Sequence, residues 1–293
     1  MKIGFVGLGS IGFPIARNLV AAGHQLAVHD LDSSRATELL KLGATWADSA
    51  AAAAKDCEAL MTSLPGPKEI EIVMASAAPA LPDGSIWCDL STSDLHLTKR
   101  LAADLEKRDI AVIDAPITGG VPNAYIAKIA IFASGKRSAF EKMLPVLEKT
   151  AAKVFYFGEV GGATVVKLIT NFVAFIHVQA LGEGLVLGRK YGLDHIELMQ
   201  AMKSSYADSF VLRTDEQKLL AGHYSPEFAL ALACKDFKLS VDLAKGLGLR
   251  LEVTELTERI YRDTIDRYGP QVGAMSSIRL LEEDTGVHLF NKL

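Results

Sequence analysis

Residues 1–20 read MKIGFVGLGSIGFPIARNLV. Residues 2–6 form a short apolar run that ends at Gly7, and GLGSIG then leads into a helical pattern through Ile15, Leu19 and Val20. The glycines stand as G-x-G-x-x-G between a strand and a helix, the context in which this spacing has a physical meaning. Gly7 allows a tight turn, Gly9 lets backbone approach a pyrophosphate, and Gly12 lets helix and strand pack closely. The N-terminus of the helix then offers unpaired N–H groups to phosphate oxygens. Lys2 before an apolar run has the outline of a secretory leader. Glycines at 4, 7, 9 and 12, Arg17 and the lack of a small-residue cleavage site instead predict a soluble, unprocessed chain.

A second strand is expected over residues 24–29, with Asp30 at its end. An acid there accepts hydrogen bonds from ribose hydroxyls and meets a 2′-phosphate with like charge, which favours NAD over NADP. The same aspartate could simply cap a turn, and Arg35 could reach a 2′-phosphate. Apolar strands at 59–63, 85–89, 110–114, 128–133 and 153–157 alternate with helical stretches. This predicts an α/β fold with a mainly parallel, doubly wound sheet. Ligands on such sheets bind at the carboxyl ends of strands. The segments to inspect are therefore SLPGP at 63–67, DLSTSD at 89–94 and DAPITGG at 114–120. Each has the composition of an ordinary loop. In DAPITGG, a threonine and two glycines can also present a hydroxyl and successive N–H groups to one carboxylate.

Residues 158–191, GEVGGATVVKLITNFVAFIHVQALGEGLVLGRKY, predict one long, mostly buried helix, roughly 40 Å at 1.5 Å per residue. Lys167 and Asn171 share one face near its start. A lysine among Val165, Val166, Leu168 and Ile169 either snorkels along apolar surface or has a chemical task. Beyond it, helical patterns recur at 194–204, 210–221, 228–247, 251–268 and 275–284, with no convincing strand. The chain is expected to divide into a dinucleotide-binding domain over 1–160 and an all-helical substrate and dimerisation domain over 161–293, joined by the long helix. Gly182, Gly184 and Gly188 on that apolar helix point to a surface shared with a second copy, in a homodimer or homotetramer.

The 293 residues are 49% apolar and 23% charged, with net charge −4 and no block of like charge, which excludes nucleic acid and anionic membrane surfaces as expected partners. No uninterrupted run reaches the roughly 18 apolar residues of a membrane span. Cys57, Cys88 and Cys234 are odd in number and far apart, so reduced, cytoplasmic thiols are expected, without a disulfide framework or zinc site. None of the seven histidines has ligand spacing, and no metal is expected.

Taken together these stretches resemble the β-hydroxyacid dehydrogenases, the group of 3-hydroxyisobutyrate dehydrogenase and related semialdehyde reductases, themselves related to 6-phosphogluconate dehydrogenase. FVGLGSIGFPIARNL is similar to the family's cofactor signature, DAPITGG to its substrate loop, GEVGGATVVKLITN to its catalytic helix and CKDF at 234–237 to its second lysine motif. The resemblance implies a cytoplasmic oxidoreductase with an N-terminal Rossmann-type sheet and a C-terminal helical domain. It would move hydride between NAD, with NADP second, and a small β-hydroxyacid or its semialdehyde. It implies that Gly7, Leu8, Gly9, Ser10, Ile11 and Gly12 hold the pyrophosphate, Asp30 the ribose, and Leu64, Pro65 and Thr92 the nicotinamide side. Thr118, Gly119 and Gly120 would bind the substrate carboxylate, and Lys235 would serve both cofactor and substrate. Lys167 would be the general acid/base, with Asn171 orienting it or the substrate.

Four places depart from the family pattern. Ile11 replaces a methionine, Thr118 a serine and Ala163 a glycine, while the continuation VPNAYIAKIAIF puts Asn123, Tyr125 and Lys128 where small or neutral residues are usual. Asn123 and Lys128 are therefore candidate substrate readers. A lysine acid/base needs a pKa drawn toward neutrality, which apolar walls favour. Two other readings stand beside this one. An imine reductase shares the architecture but generally lacks a lysine at position 167, and a non-catalytic NAD sensor or assembly protein would not need Thr118, Lys167, Asn171 and Lys235 together.

Overall fold

In the computed structural model, residues 1–222, 224 and 228–289 are described. Nine strands form the sheet: β1 (Lys2–Val6), β2 (Gln25–His29), β3 (Thr45–Trp46), β4 (Ala59–Thr62), β5 (Ile86–Asp89), β6 (Ala111–Asp114), β7 (Ile117–Thr118), β8 (Ile129–Gly135) and β9 (Ala151–Tyr156). Their order is β3-β2-β1-β4-β5-β6-β8-β7, with β9 paired to β8. The first six strands in this order are mutually parallel, and β8 runs antiparallel to β6 and β7. Two strands, β3 and β7, were not expected from the sequence. Each has two residues, too few to show a period, and forms because its neighbour offers a free edge.

Alternate residues of the central strands enter two separate cores. Ile3, Phe5, Met61, Cys88 and Ile113 pack on one face, and Val6, Leu60, Trp87 and Val112 on the other. Burial on both faces is why these strands read as continuous apolar runs rather than alternating ones. The register places His29 beside Val6, Val6 beside Thr62, Thr62 beside Asp89 and Asp89 beside Asp114. Five strands thus end level with one another. The loops that follow them are gathered along one edge of the sheet, where α/β folds bind ligands.

The contacts divide the chain into two compact units, Met1–Lys167 and Leu168–Leu293. The division falls inside a continuous 30-residue helix, Gly162–Tyr191. In the second unit the helices are His195–Lys203, Phe210–Leu220, Leu230–Gly246, Glu252–Tyr268 and Ser276–Thr285. The only strand-like pairing among its described residues is an isolated bridge between Ala229 and Gly273. One core gathers Leu181, Leu185, Met199, Leu212 and Ile278. The other is aromatic, with Phe237 5.3 Å from Phe175 and 5.2 Å from Tyr261 between ring centroids. By length and composition the long helix could cross a membrane, with a mean hydropathy of 1.5 over its most apolar window. The polar side chains of Lys167, Asn171 and Gln179 are buried along it.

Candidate functional site

The dinucleotide loop is shaped by two glycines and opened by a third. Gly7 has φ 96°, and a Cβ on it would lie 2.2 Å from the Ser63 carbonyl oxygen. A Cβ on Gly12 would lie 1.9 Å from the Gly7 carbonyl oxygen. Gly9 differs, since the nearest atom to its Cβ position is Arg35 Nη1 at 3.7 Å. Its missing side chain is not required by the protein's own packing and leaves space for a ligand. The following helix, Gly12–Ala21, has no acid in its first turn and no side-chain cap, so its N-terminal amides can receive an anion. Asp30 Oδ2 accepts the Leu8 amide at 2.7 Å and Oδ1 accepts the Asp32 amide at 3.0 Å. Each carboxylate oxygen keeps acceptor capacity toward the loop. Arg35 lies 3.9 Å from Asp30 and 3.6 Å from Asp32, its charge shared between two acids. These residues fit a dinucleotide.

The next two loops are locked together. Leu64 N–H donates to Ser91 Oγ at 2.9 Å, and Ser91 Oγ–H donates to Asp89 Oδ1 at 2.6 Å. Asp89 also accepts Thr62 Oγ1–H at 2.8 Å, and Thr62 in turn accepts the Trp87 indole N–H at 3.0 Å. Burial pushes the Asp89 carboxyl up to about 6, against the pull of these donors. Leu64 therefore makes, and Thr92 directly follows, the hydrogen bond that joins the loops after β4 and β5.

In the third loop Gly119 and Gly120 have φ 122° and 77°, conformations that favour glycine. Asn123 donates its amide to the Gly119 carbonyl at 2.7 Å, inside its own turn. Lys128 is exposed. Tyr125 packs against Phe13 at 6.3 Å between centroids, with the Arg17 guanidinium 5.7 Å from its ring, and Asn18 donates to the Ala124 carbonyl at 2.8 Å. Residues of the cofactor helix thus hold the continuation of this loop.

The long helix starts on side chains borrowed from the sheet. Asp114 Oδ1 accepts the Gly161 amide at 3.1 Å, Asp114 Oδ2 accepts the Thr164 amide at 2.9 Å, and Ser134 Oγ accepts the Ala163 amide at 2.9 Å. Lys167 follows on the next turn and is buried. Asn171, one turn further on, donates its amide N–H to Asp236 Oδ2 at 2.6 Å. Lys235 Nζ lies 2.9 Å from Asp236 Oδ1 in an ion pair. Asp236 is 1% exposed, a carboxylate buried between the Asn171 and Lys235 side chains. Sequence reasoning passed over Asp89, Asp114 and Ser134. For the two acids the available signal was a carboxylate closing an apolar strand, in DLSTSD and DAPITGG.

Residues 2–158 match the family described as the NAD binding domain of 6-phosphogluconate dehydrogenase, and residues 161–281 the family described as NAD-binding of NADP-dependent 3-hydroxyisobutyrate dehydrogenase. The chain belongs to the β-hydroxyacid dehydrogenase family. It is 28% identical over 285 residues to 2-hydroxy-3-oxopropionate reductase of Escherichia coli, covering 96% of this chain and 97% of the relative. It is 28% identical over 269 residues to 3-hydroxyisobutyrate dehydrogenase of Pseudomonas aeruginosa, covering 88% and 90%. The solved 3-hydroxyisobutyrate dehydrogenase of Mycobacterium tuberculosis, with L-serine, superposes at TM-score 0.90 and 25% identity over 96% of this chain and 98% of that one. An imine reductase from Streptomyces aurantiacus, at 19% identity and TM-score 0.63, shares the fold.

As a β-hydroxyacid dehydrogenase family member the chain is an oxidoreductase with a Rossmann dinucleotide-binding domain. Its departure at Ala163 fits this frame without strain. A Cβ at Gly162 would meet the Phe157 carbonyl oxygen at 2.3 Å, and Gly161 has φ 100°. Those two positions need glycine. Ala163 is fully buried and still gives its N–H to Ser134.

Proposed function

We propose that this protein is an NAD-dependent dehydrogenase or reductase that moves a hydride between the nicotinamide and a small β-hydroxyacid or its semialdehyde. The observation that carries the reading is Lys167, a buried lysine on the first turns of a helix anchored at the strand-end edge of the sheet. Around it we assign Gly7 to Gly12 to the pyrophosphate, Asp30 to the ribose, and Leu64, Pro65 and Thr92 to the nicotinamide side. Thr118, Gly119 and Gly120 bind the substrate carboxylate, and Lys235 contributes to both ligands. Asn123 and Lys128 remain candidates for reading the rest of the substrate.

When bound, NAD supplies the hydride acceptor. Lys167 takes the hydroxyl proton in oxidation and returns it in reduction, so one positioned group serves both directions. The Asn171 amide N–H donates to Asp236, which fixes the orientation of this side chain on the helix face it shares with Lys167, and we assign Asn171 to orienting the lysine or the substrate. Asp30 favours NAD because its charge opposes a 2′-phosphate, and Arg35 is already paired with acids.

The thiols suit a reducing cytoplasm. Cys57, Cys88 and Cys234 are free, and burial pushes all three upward, Cys234 to about 11, so they stay protonated and unreactive. On the second unit, Leu187 and Tyr191 are 72% and 84% exposed, and we assign this apolar surface to a homodimer or homotetramer.

The test is nicotinamide absorbance with a panel of β-hydroxyacids plus NAD⁺ or NADP⁺, and of semialdehydes plus the reduced cofactors. Turnover faster with NAD⁺ is expected, together with an Asp30→Ser variant that loses the preference. Lys167→Ala is expected to bind NADH normally and to lose turnover by a factor of roughly 10²–10⁴. A Lys167→Ala enzyme of undiminished activity would sink the assignment, and a silent panel with intact NADH binding would leave a sensor.

A further inference from the structure

A helix normally satisfies its first N–H groups with the side chain of its own N-cap residue. The N-cap position of the long helix is Gly161, which has none. Its start is nevertheless fully satisfied. Gly161 and Thr164 donate to Asp114, Ala163 donates to Ser134, Gly162 donates to the Glu159 carbonyl at 3.1 Å, and Val165 donates to the Gly161 carbonyl at 3.0 Å. Thr164 Oγ1–H adds a second bond to Asp114 Oδ2 at 3.0 Å, and Ser134 Oγ–H donates to Asp114 Oδ1. Asp114, Ser134 and Thr164 are 2%, 0% and 1% exposed, so water cannot substitute for any of these partners.

The two capping residues come from different strands, β6 and β8, far from the helix in sequence. Contacts to three amides of one helical turn fix how far the helix is inserted toward the sheet and how it is rotated about its axis. A carboxylate at this end also complements the helix dipole. Asp114 ends β6 and begins the segment leading to Thr118, Gly119 and Gly120, so one side chain references both that loop and the turn before Lys167.

We propose that Asp114 and Ser134 are positioning residues for Lys167, setting its height and rotation against the substrate loop. The inference rests on the catalytic reading of Lys167. Misplacing a reacting group by about 1 Å costs on the order of 10²-fold in rate, so a small shift of the cap is enough to be seen.

The test uses Asp114→Asn, Ser134→Ala and Lys167→Ala, assayed beside wild type with the fastest substrate of the panel. Asp114→Asn keeps the shape but turns an NH₂ donor toward an N–H donor. Ser134→Ala removes the partner of Ala163. Both are expected to fold and bind NADH within about twofold of wild type. They should lose kcat by roughly 10–10² with little change in KM, show faster amide exchange at Ala163 and Thr164, and shift the pH profile of kcat. A purely structural role would lower the melting temperature while leaving kcat and its pH profile in place. If Asp114→Asn does not fold, Thr164→Val carries the test by removing one hydroxyl donor, with a several-fold loss of kcat expected. Folded variants with wild-type kcat, beside an inactive Lys167→Ala, overturn the positioning inference alone. Turnover persisting in Lys167→Ala overturns the catalytic reading and this inference with it.

Discussion

Gly9 and Gly12 stand three residues apart in one motif and answer to different constraints. Gly12 faces backbone at a distance no Cβ tolerates, whereas a Cβ on Gly9 would meet only the Arg35 guanidinium, at an ordinary contact distance of 3.7 Å. Gly12→Ala is therefore expected to destabilise the N-terminal unit by about 1–3 kcal/mol or more, measured by denaturant titration. Gly9→Ala should unfold within about 0.5 kcal/mol of wild type, as a substitution with no clash does. Its effect should appear in NADH titration, as weaker binding. A Gly9→Ala protein that binds NADH as well as wild type would remove that glycine from the cofactor site. The motif itself was plain in the sequence, but which glycine serves folding and which serves the ligand depends on what stands opposite each.

At the level of elements, Asp89 ties the end of β5 to the end of β4 and gives that link a pH signature. Its carboxyl is raised to about 6 in the folded protein, above about 3.9 in an unfolded chain. The native state therefore holds an extra proton between those values. The stabilisation is complete below about pH 4 and is lost as pH rises through 6. Asp89→Asn keeps an oxygen acceptor for Thr62 and Ser91 and does not ionise. Relative to wild type its stability should improve by on the order of 2–3 kcal/mol between pH 4 and 7, read from urea midpoints at each pH. A difference that stays constant over that range would show that Asp89 ionises as it does in the unfolded chain. Strand and helix positions were legible in the sequence because each is a local pattern. β3 and β7 were not, because two residues have no period and their pairing belongs to a neighbour.

For the whole molecule, the exposed apolar side chains of the second unit predict self-association. Leu187, Tyr191 and Val253 are 72%, 84% and 58% exposed. Light scattering is expected to give at least twice the chain mass at micromolar concentration, and Leu187→Glu should lower it; a monomer throughout would show that these side chains simply face water. The sequence by itself determined the α/β half, the helical half, the long helix between them and the dinucleotide motif. Each rests on residue spacing along a strand or helix, which local sterics and burial dictate. Only tertiary structure decided that Asp114 and Ser134 cap the long helix, that Asp89 joins two loops and that Asp236 holds Asn171. Those partners lie tens of residues apart, and a buried polar group takes whichever partner the fold brings to it, because leaving it unsatisfied costs more than any local preference can offset.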